Sequence, residues 1–326
     1  MSSVESKIDC GRKCVVGIKT EPWTAADIPD LNGRTAIVTG ANTGLGLETA
    51  RQLAAHGARV VLACRDTGKG EAAALDIRRG APGAEVSVLE LDLLSLDSVR
   101  KAAAQVHDEF ERIDLLVNNA GALNRKRTLT AGVETTLAAN HLGPFAFTGL
   151  LLDLLRAAPD GRVVTVSNGT IMQKAETLAL DDLNFERRRY KGFAAYKQSK
   201  MANALFAFEL QRRLNGTDTA LMSVLVHPGA AESDFARNLG PAVAFLARPS
   251  LRWMFRFFMQ TVEMGALPSL RAATDPGVRG GEFLGPSGSF KGFPVRNEAG
   301  RQANDPEVAA ALWAESERLS GVTYQF

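Results

Sequence analysis

The chain has 326 residues, which is enough for one large domain or two small ones. Hydrophobic residues make up 45% and charged residues 23%, the composition of a soluble globular protein. The net charge of +2 implies no general affinity for nucleic acid. The three cysteines (Cys10, Cys14 and Cys64) lack a downstream Cys/His set, so we interpret them as reduced thiols and expect no metal site.

The amino terminus shows no secretory signal pattern. The longest apolar stretch, residues 143–155, is interrupted by Asp153 and falls short of the about 20 residues that span a membrane. These features predict a cytoplasmic protein. Residues 1–30 are polar and aperiodic and predict a flexible leader that becomes ordered near Ile28, while residues 31–326 predict a single domain.

From Arg34 onward, short β-branched runs alternate with longer helical patterns. The predicted strands are residues 35–39, 59–63, 85–91, 113–117, 162–166 and 220–226. The predicted helices include residues 45–55, 96–110, 133–157 and 194–214. Nearly all-apolar strands that alternate with helices predict an α/β fold, a single Rossmann-like doubly wound parallel sheet with helices on both faces.

The first strand runs into a glycine-rich turn, Thr39-Gly40-Ala-Asn-Thr-Gly44-Leu-Gly46, and a helix follows. Such a turn lets the backbone approach a pyrophosphate, and the helix N-terminus offers it free N–H groups. We therefore predict a dinucleotide site whose first turn contributes Gly40, Asn42, Thr43, Gly44, Leu45 and Gly46.

The ends of the next strands indicate how the rest of the dinucleotide is bound. The second strand ends at Cys64-Arg65-Asp66, and the fork of Arg65 suits a 2′-phosphate. NADP is therefore the predicted cofactor, with a hydrogen bond from Asn42, while Asp66 keeps NAD as the less favoured alternative. Further contacts are predicted after the third and fourth strands, at Asp92, Leu93, Asn119, Ala120 and Gly121.

Tyr196 and Lys200 are four residues apart in a predicted helix and therefore share a face. A nearby ammonium lowers the pKa of a phenol, which is about 10 in isolation. The pair is thus a candidate acid/base for a proton on a carbinol oxygen, although the spacing alone also fits an ordinary helix surface.

The chain carries the glycine turn, Asp92, Asn118 to Gly121, Asn140, Tyr196 with Lys200, and His227-Pro228-Gly229. Together these motifs resemble those of the short-chain dehydrogenase/reductase family. Finer features at Ala63-Cys64-Arg65, Asn140 to Phe145, Asp182 to Phe185 and Gly280 to Pro286 resemble its retinol-dehydrogenase-like branch. The resemblance implies that Tyr196 exchanges the proton, that Lys200 lowers its pKa and holds the nicotinamide ribose, and that Asn140 positions a water. It also implies nicotinamide contacts from Pro228, Gly229 and Ser233.

The sequence departs from the family at the residue that normally supplies a catalytic serine. Aligned from Gly161, that position holds Asn168, and Ser167 comes one residue early. Adjacent residues on a strand point to opposite faces, so the offset matters. Three interpretations stay open: the Asn168 amide donates to the carbonyl, the loop shifts so that Ser167 or Thr170 serves, or the site performs other chemistry.

An aromatic-rich segment follows the sixth strand, and we predict a substrate lid at about residues 236–270. Such a lid suits a bulky apolar substrate, polycyclic compounds included. Arg248, Arg252 and Arg256 would form a basic stripe on a helix. We interpret this stripe as the solvated face of the lid; an anionic membrane surface and an acidic partner are the alternatives.

The sequence therefore predicts an NADP-dependent oxidoreductase that reduces a carbonyl or oxidises the matching alcohol. The alternatives are isomerisation, dehydration or cyclisation on the same scaffold, or NADP binding without turnover. The resemblance also implies a homo-oligomer through the helices at residues 133–157 and 194–214.

Overall fold

The computed structural model describes residues 22–169, 178–230, 259–288 and 290–326. Several sequence predictions lie outside these residues: the leader up to residue 21, Thr170, Ser233, and the aromatic and basic stretch at 245–258.

The described part of the chain is built on an eight-stranded sheet in the order β10-β9-β8-β7-β4-β1-β2-β3. All of its strands pair in parallel except β10, which is antiparallel to β9, and β5 and β6 form a separate hairpin. In chain order the strands are β1 (Thr35–Thr39), β2 (Arg59–Cys64), β3 (Val86–Glu90), β4 (Leu115–Asn118), β5 (Leu129–Thr130), β6 (Val133–Glu134), β7 (Arg162–Val166), β8 (Met222–Val226), β9 (Phe283–Pro286) and β10 (Pro294–Asn297).

Helices cover both faces of this sheet. In chain order they are α1 (Gly44–Ala55), α2 (Thr67–Gly80), α3 (Leu96–Glu109), α4 (Thr135–Leu137), α5 (Gly143–Leu150), α6 (Leu152–Arg156), α7 (Gly192–Leu214), α8 (Val262–Thr274) and α9 (Pro306–Ser320). Alternate strand residues serve the two faces: Val38 packs with α1, α2 and α8, whereas Ile37 packs with α3, α5, α7 and α9. This double burial explains why the strands are apolar throughout.

The predicted doubly wound α/β fold is confirmed. β1 and β7 have the predicted bounds, and the other predicted strands differ from the observed ones by at most two residues at either end. The predicted helix at 133–157 is wrong as one continuous element. It is divided into α4, a π-helical turn at Ala138–Leu142, α5 and α6, and its first residues belong to the β5–β6 hairpin.

Two further predictions are corrected by packing. The leader does not extend to residue 30, because Trp23 and Ile28 are buried in the core beneath α1 and α8. The lid does not extend to residue 270, because α8 packs against α1 and buries Ala266, Leu267 and Leu270. Apolar residues that a sequence alone would give to a substrate therefore belong to the domain core.

The helices proposed as an oligomer interface are largely covered within one chain. α7 is buried along residues 198–210 and α5 along residues 143–148. α9 and the carboxyl-terminal residues supply this cover, with Trp313 and Tyr324 packed on Phe145 and Phe206. A dimer through broad faces of these helices is therefore not supported.

None of the helices in the described ranges is both long and apolar enough to cross a membrane.

Candidate functional site

The candidate site lies at the carboxyl edge of the parallel strands. The chain leaves β1 toward β2 on one side, whereas β4 lies on the other side of β1. This reversal of strand order opens a crevice where dinucleotides bind in doubly wound folds. The predicted residues after β1, β2, β3, β4, β7 and β8 all follow strands that end at this edge.

The turn between β1 and α1 has the backbone geometry of a phosphate cradle. Gly40 and Gly44 have φ of 64° and 57°, a region that favours glycine. A Cβ on Gly46 would lie 2.4 Å from Asn119 Nδ2 and 2.5 Å from the Gly40 oxygen. Thr43 precedes α1, and its side chain does not cap the helix. The first backbone N–H groups of α1, around Leu45, therefore have no side-chain cap.

Thr39 braces this cradle against the loop after β4. Its Oγ1 accepts hydrogen bonds from the backbone N–H groups of Asn119 and Ala120, each at 3.0 Å. The Asn119 amide donates in turn to the Thr39 carbonyl at 2.8 Å. The sequence alone indicates no role for Thr39, because a threonine at a strand end is indistinguishable from an ordinary β-branched strand residue.

The acidic candidates after β2 and β3, Asp66 and Asp92, are bonded within the protein, whereas the basic candidate Arg65 forms no ion pair with a described residue. Asp66 caps α2 by accepting from Lys69 N at 3.0 Å and pairs with the Lys69 ammonium, and these bonds lower its pKa. Arg65 is exposed and forms no ion pair with any described residue. Asp92 accepts from Leu94 N at 3.0 Å, and the Leu93 carbonyl packs against Gly143.

Tyr196 is buried on α7, and its side chain is hydrogen-bonded to that of Asn168. Burial raises the pKa of Tyr196, and the bond to Asn168 opposes that rise. A bond that lowers the pKa of a phenol favours the phenolate, so the amide N–H is the donor. Asn168 thus supplies one contribution that lowers this pKa. The lowering assigned to Lys200 by the family resemblance stays a prediction.

Lys200 lies beside Tyr196, with its Nζ 5.8 Å from the centre of the tyrosine ring. Burial lowers the pKa of Lys200 to about 8. Its ammonium donates to the Val166 carbonyl at 2.9 Å, and a Cβ on Gly121 would come within 3.4 Å of it. The ammonium is thus held between the ends of β4 and β7.

Asn140 lies in the π-helical turn, and its side chain is bonded within the protein. Its amide donates to the Ala122 carbonyl and to Ser199 Oγ, both at 2.9 Å, and its oxygen accepts from Ala122 N at 2.7 Å. Ser199 donates to the Tyr196 carbonyl at 2.8 Å. π turns are frequent at functional sites. Here the turn ties the loop after β4 to the helix that carries Tyr196.

Ser167 has a different environment from Asn168. It is buried, and its hydroxyl donates to the Lys200 carbonyl at 2.7 Å. The adjacent positions at the end of β7 therefore divide their roles: Ser167 holds the backbone of α7, and Asn168 contacts the tyrosine.

The loop after β8 is held by Gln260, which the sequence did not single out. Gln260 donates to the Pro228 carbonyl at 2.6 Å and accepts from Gly292 N at 3.1 Å. Gly229 has φ of 65°, and a Cβ there would lie 2.5 Å from the Phe290 oxygen. Close backbone packing therefore explains the glycine.

Within the described residues, no three His, Cys, Asp or Glu side chains come together as a metal site.

A doubly wound sheet with a glycine cradle and a Tyr/Lys pair at its carboxyl edge defines the class of dinucleotide-dependent oxidoreductases. The comparisons with known proteins agree. Residues 34–179 match the family model described as short chain dehydrogenase.

Two human relatives match nearly the whole chain. Retinol dehydrogenase 13 is 40% identical over 291 residues, which cover 89% of this chain and 85% of that protein. Retinol dehydrogenase 12 is 38% identical over 296 residues, which cover 90% and 89%. The chain belongs to the short-chain dehydrogenase/reductase family, in its retinol-dehydrogenase-like branch, and is an NAD(P)-dependent oxidoreductase of a carbonyl/alcohol pair.

Solved structures share the fold. An uncharacterized protein from Mycobacterium paratuberculosis superimposes with a TM-score of 0.76 at 39% identity, covering 94% of this chain and all of that one. RhlG of Pseudomonas aeruginosa, solved as an NADP active-site complex, gives a TM-score of 0.64 over 80% of this chain and 97% of that one. At 23% identity this second likeness concerns the fold alone.

Proposed function

We propose that this protein is an NADPH-dependent reductase of bulky apolar aldehydes or ketones, with Tyr196 as the proton donor and Asn168 in place of the usual serine. The observation that carries the proposal is the hydrogen bond between Asn168 and Tyr196. It brings an amide donor to the oxygen that exchanges the proton.

The turn between β1 and α1 fits the pyrophosphate of such a cofactor. Gly46 leaves no room for a side chain, since a Cβ there would lie well inside van der Waals contact of the Asn119 amide and the Gly40 carbonyl. α1 also lacks a side-chain cap from Thr43, whereas α2 and α3 are capped by Asp66 and Ser95. A phosphate would satisfy those N–H groups.

NADP is favoured over NAD by the residues after β2. Arg65 is exposed and forms no ion pair among the described residues, so its guanidinium is available to a 2′-phosphate. Asp66, the residue that would suit a ribose 2′-hydroxyl, is used in capping α2 and in its ion pair with Lys69.

The protonation states suit reduction. Bound NADPH supplies the hydride. Because burial raises the pKa of Tyr196, the phenol stays protonated at neutral pH and is ready to donate to a carbonyl oxygen. The Lys200 ammonium retains two N–H groups beyond its bond to Val166, which suffice for a ribose hydroxyl and for stabilising the phenolate that donation leaves.

Asn168 replaces the serine in this scheme because its N–H already points at the phenol oxygen. A carbonyl that receives a proton from Tyr196 lies within reach of the same amide. Ser167 is the weaker candidate, since its hydroxyl is committed to the Lys200 carbonyl.

The size of the substrate is proposed from the aromatic residues of 245–258, which lie outside the described residues. The names of the human relatives point to retinol, an apolar alcohol of this kind. Retinal therefore belongs in the substrate panel, beside bulky ketones.

The test is NADPH oxidation with that panel by the wild type, Tyr196→Phe, Asn168→Ala and Asn168→Ser. We expect Tyr196→Phe to abolish turnover and Asn168→Ala to lower kcat by about 10² to 10³. Asn168→Ser should retain most of the wild-type kcat. A silent wild type together with an active Asn168→Ser variant would replace the proposal with other chemistry or with binding alone.

Cofactor choice is tested separately by titrating NADPH and NADH. Arg65→Ala should weaken NADPH binding by about tenfold or more, which corresponds to the loss of a charge-assisted hydrogen bond. The affinity for NADH should stay unchanged. Arg79→Ala, an exposed arginine on α2, is the matched control. Tighter binding of NADH than NADPH by the wild type contradicts the assignment.

A further inference from the structure

One large apolar side chain on the Tyr196 helix is left in contact with solvent. Phe193 is 49% exposed, although α7 is buried over most of its length. Scattered exposed apolar residues are ordinary on a protein surface. Phe193 differs from them by its position one turn before Tyr196, on the same side of the helix.

The two rings are stacked on each other. Their centres are 6.3 Å apart and their planes differ by 23°. The Lys197 ammonium lies 5.6 Å from the centre of the Phe193 ring. Offset stacking of this kind stabilises a pair of rings and fixes their relative orientation. Phe193 therefore extends the aromatic surface of the buried Tyr196 ring out to solvent.

The backbone beneath Phe193 is also fixed. A Cβ on the preceding Gly192 would lie 2.4 Å from the Asn124 oxygen and 3.0 Å from Arg125 Cα. Tyr190 donates to the same Asn124 carbonyl at 2.9 Å. The start of α7 is thus packed against the loop that follows β4, the strand end that also supplies Gly121. Phe193 is held where this loop meets the helix.

We propose that Phe193 determines substrate size by packing against the apolar body of the substrate next to its reacting carbonyl. The inference rests on the proposed function, because it takes Tyr196 as the group that reaches the carbonyl oxygen. A molecule positioned there covers the exposed ring and removes its apolar surface from water. A long or bulky chain gains this contact, and a short one does not reach it.

Steady-state kinetics with NADPH and two aldehydes of different length test the inference. Phe193→Ala should raise KM for decanal by about tenfold, the value of about half a phenylalanine side chain removed from water, with kcat little changed. KM for butanal should stay within about twofold, and Phe193→Leu should recover much of the decanal effect. Leu75→Ala, which removes an apolar side chain 46% exposed on α2, is the control and should change neither.

Equal changes for both aldehydes, or no change for decanal, would overturn the assignment of Phe193. Absence of turnover by the wild type with every carbonyl compound is a failure of the proposed function instead. A second readout then decides the inference: calorimetric titration of decanol and butanol into the protein with NADP⁺. Decanol binding about tenfold weaker in Phe193→Ala supports the contact, and unchanged or undetectable decanol binding refutes it.

Discussion

The side chains of Asn168 and Tyr196 are hydrogen-bonded to each other, and this bond opposes the burial that raises the pKa of the phenol. The pair therefore joins an amide that does not titrate to the tyrosine that we propose as the proton donor. Burial is the larger influence on the pKa of Tyr196, and the bond to Asn168 moves that pKa in the opposite direction.

Asn168→Ala should move the pH dependence of alcohol oxidation to higher pH. Oxidation requires the phenolate, and loss of the amide donor raises the pKa of Tyr196 further. The measurement is the pH profile of kcat/KM with NADP⁺ and an alcohol substrate. Ser167→Ala is the neighbouring control: it loses a bond to the Lys200 carbonyl and should cost about 1 kcal/mol of stability, with little displacement of the profile. Profiles that coincide for Asn168→Ala and the wild type would rule out this role.

Lys200→Met should change how stability depends on pH. Burial lowers the pKa of Lys200 to about 8 in the folded protein, whereas the unfolded value is about 10.4. Between these values the unfolded chain binds more protons, so the free energy of unfolding of the wild type rises with pH. The variant lacks this contribution. Denaturant unfolding without cofactor at pH 7 and pH 9.5 should show the wild type gaining about 2 kcal/mol relative to Lys200→Met. Parallel pH dependences would contradict the lowered pKa.

Gly46→Ala should weaken NADPH binding by about tenfold, because a Cβ there meets the Asn119 amide and the Gly40 carbonyl and such overpacking costs about 1–3 kcal/mol. The comparison is Gly80→Ala at the end of α2, where a Cβ has no neighbour within 4 Å. That variant should bind NADPH as the wild type does and gain at most about 1 kcal/mol of stability. Fluorescence titration of NADPH, together with thermal unfolding, separates the two outcomes.

The order of the elements follows from the sequence because parallel strands buried on both faces leave an unmistakable apolar signal. β9 gives no such signal: Phe283-Leu-Gly-Pro286 is short, contains glycine and proline, and becomes a strand through its pairing with β8. The break of the helix near Asn140 is equally invisible, because a π turn depends on tertiary bonds such as those to Ala122 and Ser199.

The candidate site likewise combines residues that local patterns predict with contacts that depend on the whole fold. The glycine turn and the Tyr196/Lys200 spacing are local patterns, so the sequence predicts where these residues lie. The partner of Tyr196 is not local: whether Ser167 or Asn168 contacts it depends on how the end of β7 meets α7. Burial likewise decides the direction of the Tyr196 pKa, and burial is a property of the whole fold.

Tyr324→Ala should be among the more damaging substitutions far from the crevice. The ring is buried against Phe145 and Trp313, and its hydroxyl donates to the Phe145 carbonyl at 2.7 Å. We expect a loss of about 3–5 kcal/mol, as for other large-to-small core changes. Thr323→Ala, at the exposed neighbouring position, should lie within about 0.5 kcal/mol of the wild type. Denaturant unfolding of both variants gives the comparison.

The π-helical turn places two consecutive side chains toward opposite parts of the molecule. The Asn140 amide donates to the Ala122 carbonyl in the loop after β4, and His141 Nε2 is hydrogen-bonded to Ser316 Oγ of α9 at 2.8 Å. The contact with α9 is therefore separated from the candidate site by a single peptide unit. Packing of α9 against the domain is thereby coupled to the position of Asn140.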